Sequence, residues 1–184
     1  MIKTEFLFKD VQDKRMNFLE AYHKFWLENA FLTWQWWILL ITTILIWILW
    51  VKFVDRKRVH LLLNFGLIIG GLSVTLDVIG TNHGAWAYPI HLYWAFIPPL
   101  IPFDLSYLPV FYMLIYQRYG QRWFNFLLAL IVFSAFISFI IEPIFHWVGI
   151  YALYKWKYLY SFPIYLLLGC FVKVLVELIN KKLH

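Results

Sequence analysis

The sequence predicts an all-α membrane protein: a polytopic helical bundle of five transmembrane helices behind an N-terminal amphipathic helix at the membrane interface. Three observations predict it. Of 184 residues, 63% are hydrophobic, 22% aromatic and 14% charged, against about 45–50% apolar and about 25% charged in soluble domains. Long charge-free runs alternate with short basic clusters. A shift of 65 residues also lays helices two and three over helices four and five. A soluble domain of this length buries roughly two-thirds of its unfolded surface, and so few charges cannot cover the rest. Soluble enzymes, nucleic-acid binders and disordered linkers are thereby excluded.

The expected organisation is one membrane domain over 1–184. Residues 1–30 read as the amphipathic helix. Phe8, Val11, Phe18, Tyr22 and Phe25 recur at helical spacing, Leu19 and Trp26 widen the stripe, and Lys9, Asp13, Lys14, Asn17, Glu20 and Lys24 face away. No cleavable signal peptide is expected there, because acids and bases interleave without a small-residue cleavage site. The first span, 31–54, opens on Thr33-Trp34-Gln35-Trp36-Trp37, an interfacial aromatic belt. Spans 59–80, 94–116, 123–145 and 161–179 come next. The third is expected to be helical despite Pro98, Pro99 and Pro102 in its first turns. Each is close to the roughly 20 residues that a hydrocarbon core about 30 Å thick demands.

Basic residues set the orientation. With five spans, Lys52, Arg56, Lys57, Arg58, Arg118, Arg122, Lys173, Lys181 and Lys182 fall on one side. Lys155, Lys157 and five basic residues of the leader, the latter balanced by five acids, fall on the other. The expected location is the cell membrane, with the N-terminus external and the C-terminus cytoplasmic. The net charge of +6 lies in these clusters, so the expected partner is membrane lipid and no nucleic acid. A homo-oligomer or a second membrane protein is a further partner class. Cys170 stands alone in an apolar run, which excludes an intramolecular disulfide.

The 65-residue register superimposes more than leucines. Ser73 falls on Ser138, Asp77 on Glu142, Gly84 on Gly149, Trp86 on Tyr151, Ala87 on Ala152, Tyr93 on Tyr158 and Pro98 on Pro163. Both copies read as an apolar helix, a terminal carboxylate, a glycine, an aromatic and a proline opening the return helix. Both enter the membrane from the same side, so the implied two-fold axis lies along the membrane normal.

Ionisable groups inside a membrane are costly and mark function by default. Asp77 lies roughly 25 Å along its helix from His60, Asp104 roughly 21 Å from Arg118 and Glu142 roughly 30 Å from Arg122. All three therefore belong to the outer half, and they are the candidate catalytic residues. His83, Trp86, Tyr88, His91, Tyr93, Trp94, Tyr107 and His146 are the candidate substrate-binding residues around them. One reading is structural: acids bonded to Tyr, Trp and Ser of neighbouring helices. A second is acid catalysis on an isoprenoid or other lipid, in which a protonated carboxyl donates to a double bond and aromatic faces steady the cation. A third is a transporter-like or accessory membrane component, and ahead of these alternatives stands an integral membrane protein of unknown activity with an outer-leaflet cluster of acids and aromatics. No HxxxH, HExxH or DDxxD run occurs, so neither metal nor cofactor is expected.

Two resemblances attach here. Asp77-Val-Ile-Gly, Gly84-Ala-Trp86-Ala-Tyr88-Pro89 and Pro102-Phe103-Asp104-Leu105-Ser106-Tyr107 resemble the repeated lycopene cyclase domain of carotenoid-modifying membrane enzymes. That resemblance covers roughly a quarter of the chain and implies acid-catalysed chemistry on an apolar small molecule. The chain departs from it where Asp104 stands in place of one or two glutamates, and where Gly169 occupies the corresponding position of the second copy. The whole chain is also similar to an uncharacterised family of small multi-pass membrane proteins of Gram-positive, often spore-forming, bacteria. The residues shared are the amphipathic leader, Trp34-x-Trp36-Trp37, Asp55-Arg56-Lys57-Arg58 and Pro109-Val-Phe-Tyr-Met-Leu-Ile-Tyr116. No activity comes with that second likeness.

Overall fold

Helices long and apolar enough to cross a membrane cover Trp34–Phe53, Arg56–Asn82, Trp123–Trp147 and Tyr158–Lys181, and the protein is a helical membrane protein. The computed structural model describes residues 2–183, without the side chains of 2–6, 182 and 183. Residues 1 and 184, the ends of the expected domain, and the Lys182 side chain counted for orientation lie outside the described residues. In chain order the helices are α1 (Ile2–Asn29), α2 (Trp34–Phe53), α3 (Val59–Asn82), α4 (Leu108–Tyr119), α5 (Trp123–Phe136), α6 (Glu142–Trp147) and α7 (Tyr158–Leu183). The short strands β1 (Trp86–Ala87) and β2 (Ala152–Leu153) join two of the connections.

Local chemistry sets the ends of the first elements. Thr33 caps α2 by accepting from the Trp36 N–H. Asp55 accepts from the Lys57 N–H and the Arg58 guanidinium. Gln117 of α4 clamps that turn, donating to the Phe53 carbonyl at 2.9 Å and accepting from the Asp55 N–H at 2.9 Å.

The third apolar segment differs from the helix expected over 94–116. Residues 94–102 are irregular, and helix starts only at Phe103. Pro98, Pro99 and Pro102 have no N–H to give a helical ladder, and each clashes with the turn before it. The run leading into this stretch is held by side chains of the first two helices. Trp26 and Trp36 reach over from α1 and α2 and donate to the carbonyls of His91 (2.9 Å) and Leu92 (3.0 Å). From Phe103 to Tyr119 the helical part is about 25 Å long.

Two wide turns interrupt the helices. The N–H groups of Tyr107 and Leu108 donate to the Pro102 and Phe103 carbonyls, five residues back. Glu142 donates likewise to Ile137. Each such turn inserts one residue and rotates the next part of the helix by roughly 100°.

The ends of α3 and α6 are equivalent across the shift of 65 residues. His83 bonds Ile79, Gly84 bonds Thr81 and Ala85 bonds Gly80; Val148 bonds Ile144, Gly149 bonds His146 and Ile150 bonds Phe145. Gly84 and Gly149 both take φ in the left-handed region, at 64° and 77°, where a side chain would be strained. The strands beyond them are antiparallel, with Ala87 opposite Ala152 and Trp86 opposite Leu153. The proline match does not carry over. Pro98 lies in the irregular stretch, whereas Pro163 sits within the first turns of α7.

The half of the bundle nearest the basic turns holds the larger apolar core. Leu62, Phe65 and Ile69 of α3, Tyr112 and Met113 of α4, Phe126 and Leu130 of α5, and Val172 of α7 form its core. Lys173 is not a loop charge. It is fully buried on α7, with its ammonium over the rings of Trp123 (4.5 Å), Phe126 (5.2 Å) and Tyr116 (5.5 Å), bonded to Glu177 and the Gly120 carbonyl. The ring faces and those two acceptors replace the hydration the ammonium gives up.

Helix α1 turns a different stripe inward from the one its periodicity marks. Leu19, Tyr22, His23 and Trp26 face the protein, while Phe8, Val11, Phe18 and Phe25 are exposed. Its anchor is His91, fully buried and stacked on Tyr22 at 5.2 Å. The His91 Nδ1 bonds the Tyr88 carbonyl at 3.0 Å and Nε2 has no partner. Burial holds the His91 pKa below its ordinary 6.5, so the folded protein favours the neutral ring. Below about pH 6.5 the unfolded chain takes up a proton that the folded state resists. The stability His91 contributes is therefore complete above that pH and declines as pH falls through and beneath it. Limited proteolysis is expected to release α1 faster at about pH 5.5 than at about pH 7.5. Identical resistance at both would show that His91 does not control docking.

Candidate functional site

At the end of the bundle away from the basic turns, the helices part around a cavity of about 360 Å³. Three elements bring carboxyl groups to it: α3 supplies Asp77, the wide turn before α4 supplies Asp104, and α6 supplies Glu142. All three are buried. Most of the remaining wall is apolar or aromatic, including Leu76, Phe103, Leu108, Ile137, Phe145 and Ile164.

The acids are held in two ways. Asp77 Oδ1 accepts from Trp86 Nε1 at 2.6 Å and from the Tyr88 hydroxyl at 2.8 Å. Its Oδ2 has no N–H or O–H partner, and neither has the Oδ2 of Asp104. Asp77 and Asp104 both line this cavity. Burial and the neighbouring Asp77 and Asp104 hold the Tyr88 phenol well above its ordinary value, which keeps it a donor. Ser73, one turn below Asp77 on α3, is buried at the cavity wall with an unpartnered hydroxyl.

Glu142 is satisfied on both oxygens. Ser161 donates to Oε2 at 2.9 Å and Tyr165 to Oε1 at 2.8 Å. Ser161 in turn accepts from Trp156 Nε1 at 3.0 Å, so its own proton must point at Glu142. The arrangement thus sets two acids with unpartnered oxygens against a fully bonded acid, all at one apolar space. Separating the environments of titratable groups is how one site holds both an acid and its counterpart.

Of the sequence-derived binding candidates, His83, Trp86, Tyr88 and Tyr107 line the cavity. The other four lie elsewhere. His91 anchors α1, Trp94 stacks on His23 at 4.3 Å, Tyr93 is exposed, and His146 pairs with the Tyr158 hydroxyl at 3.0 Å. The irregular backbone beyond Tyr88 carries His91 and Trp94 toward α1. Tyr151, Trp156, Ser161 and Tyr165 are cavity residues that sequence reasoning missed. The register of 65 offered one signal, since Tyr151 falls on Trp86, and the four-residue spacing of Ser161 and Tyr165 puts both on one helix face.

Trp86 reaches Asp77 because Gly80 leaves room. A Cβ at Gly80 would stand 2.0 Å from the Trp86 ring, and a rigid indole pinned at Nε1 has little freedom to yield. Gly80→Ala is expected to destabilise the protein by about 1–3 kcal/mol and to move Trp86 off Asp77. Thermal melting and indole fluorescence in detergent check this; a wild-type melt would mean that Trp86 relaxes without cost.

Among the described residues no three His, Cys, Asp or Glu side chains converge as a metal ion requires. No family model, curated protein or solved structure matches this chain, so its chemistry is read from its own residues.

Proposed function

We propose that the protein is a membrane enzyme performing acid–base chemistry on an isoprenoid or similar unsaturated lipid in the outer half of the bilayer. The observation that carries this reading is the convergence of Asp77, Asp104 and Glu142 on one mostly apolar cavity. Burying three carboxyl groups at membrane depth costs roughly 2.5–3.5 kcal/mol each even on a lenient insertion scale. A purely structural role would leave them all bonded, and two carboxyl oxygens are not.

In the proposed step a proton held on the Asp77–Asp104 pair passes from oxygen to one carbon of a substrate double bond. The π electrons form the new C–H bond, and the other carbon becomes a cation. The ring faces of Trp86, Tyr88, Phe103 and Trp156 and the Glu142 carboxyl surround it. A neighbouring C–H then returns its proton to the carboxylate and leaves its electron pair as a new double bond. The sum is a double-bond isomerisation that consumes no oxidant. Below the cavity Phe65, Tyr112 and Leu130 are fully buried, and this packing supports the enzyme reading over a transporter-like one.

The same proposal includes five crossings: α2, α3, the segment ending in α4, α5 with α6, and α7. The basic turns and C-terminus are cytoplasmic, and α1 lies in the outer interface with Phe8, Val11, Phe18 and Phe25 toward lipid. An internal duplication with a pseudo-two-fold axis belongs to the same reading, supported by the matched helix ends and the pairing of Ala87 with Ala152. Lipid extracts of cells with and without the gene, compared by mass spectrometry, test the activity. A new or depleted unsaturated lipid is expected, and identical extracts would count against the enzyme.

A further inference from the structure

We propose that the cavity loads sideways from the bilayer, through a gap between α3 and α7, and takes a single hydrocarbon chain whose headgroup stays outside. This deepens the proposed function by naming the route and the shape of the substrate. From above, the cavity is closed. The β1–β2 ladder crosses its top, the Tyr154 and Lys155 N–H groups donate to the Ala85 carbonyl, and Trp86 meets Trp156 edge-on at 4.9 Å. From below, Ile69 and Leu72 of α3 belong to the same packed core as Leu168 and Val172 of α7.

To one side it is not closed. Leu76 and Ile79 line the cavity yet are 40% and 52% exposed, and His83 one turn on is exposed as well. Their spacing puts them along one edge of α3. Ile164 and Ser161 of α7 line the same cavity. Residues that face both a cavity and the surroundings mark its mouth. Leu76 and Ile79 belong to the apolar part of α3 that spans the membrane, so the mouth meets hydrocarbon rather than water.

Size restricts the occupant. Pockets that enclose a drug-sized ligand run about 300–1,000 Å³, so about 360 Å³ holds a segment of one chain and excludes a two-chain lipid. The polar wall supports the same orientation, because the acids lie inside while His83 stands at the rim, where a headgroup would remain. What reacts is then part of the chain.

Photolabelling tests this without any turnover. The purified protein is reconstituted in phosphatidylcholine vesicles containing a single-chain lipid with a diazirine near its end, irradiated, and mapped by peptide mass spectrometry. Adducts are expected on the cavity peptides bearing Asp77, Tyr88 and Asp104. Ile79→Trp, which narrows the mouth, is expected to reduce them at least about fivefold, and Ile79→Ala to preserve or raise them, while labelling of the outward Phe139 stays constant. Adducts confined to outward residues, or cavity labelling indifferent to both substitutions, would overturn the lateral mouth. Cavity labelling with unchanged cellular lipids would keep the mouth and reject the enzyme reading, so the two failures are distinguishable.

Discussion

Asp104→Asn is expected to abolish conversion of the lipid substrate while the protein accumulates and melts as the wild type does. The amide keeps the shape of the carboxyl, but it has no proton of suitable acidity to hand to carbon. General acids contribute typically about 10²–10⁴-fold, and the whole of that factor should go. Asp104→Glu keeps the acid and changes its reach, so a partial loss is expected. Glu142→Gln should act differently: its amide presents a donor toward Ser161 or Tyr165, both of which already donate, and stability should fall with activity. Product formation is read by mass spectrometry of lipid extracts, and folding by the detergent melt. An Asp104→Asn protein with full activity would remove Asp104 from the chemistry.

The largest effect on stability is expected at Phe65. It is 0% exposed, stacked on Tyr116 at 4.3 Å, and sits in the core formed by α3, α4, α5 and α7. Phe65→Ala is expected to cost about 3–5 kcal/mol. The reason is specific to a membrane. Lipid tails are as apolar as the phenyl ring, so removing the ring costs little in transfer and much in lost van der Waals contact across the helices. Leu67, two residues on and 73% exposed, provides the contrast, since Leu67→Ala should stay within about 0.5 kcal/mol. Equal losses for both in reversible denaturation would show that burial in the bundle does not govern stability here.

The sequence alone determined the class of the fold. A charge-free run of helical length is stable in one medium only, because hydrocarbon forces every backbone group to bond within its own segment. That argument needs no tertiary information, and Trp34–Phe53, Arg56–Asn82, Trp123–Trp147 and Tyr158–Lys181 match it closely. Asp77, Asp104 and Glu142 stood out for the same reason, as charges where charge is expensive. The matched ends of α3 and α6 were legible too, because helix caps are local and repeat with their sequence.

Tertiary structure decided the rest. The inward stripe of α1 depends on surfaces offered by the rest of the protein, where Tyr22 and Trp26 meet His91. Lys173 reads as a terminal charge until Tyr116, Trp123 and Phe126 close around it. Tyr93, Trp94 and His146 are neighbours of the acids in sequence and not in the cavity, whereas Trp156, Ser161 and Tyr165 join it from α7 and the loop before it. Successive residues of a helix point roughly 100° apart, so proximity along the chain places few side chains on a shared face. Which face meets the acids is set by how the helices pack, through contacts that no short stretch of the sequence contains.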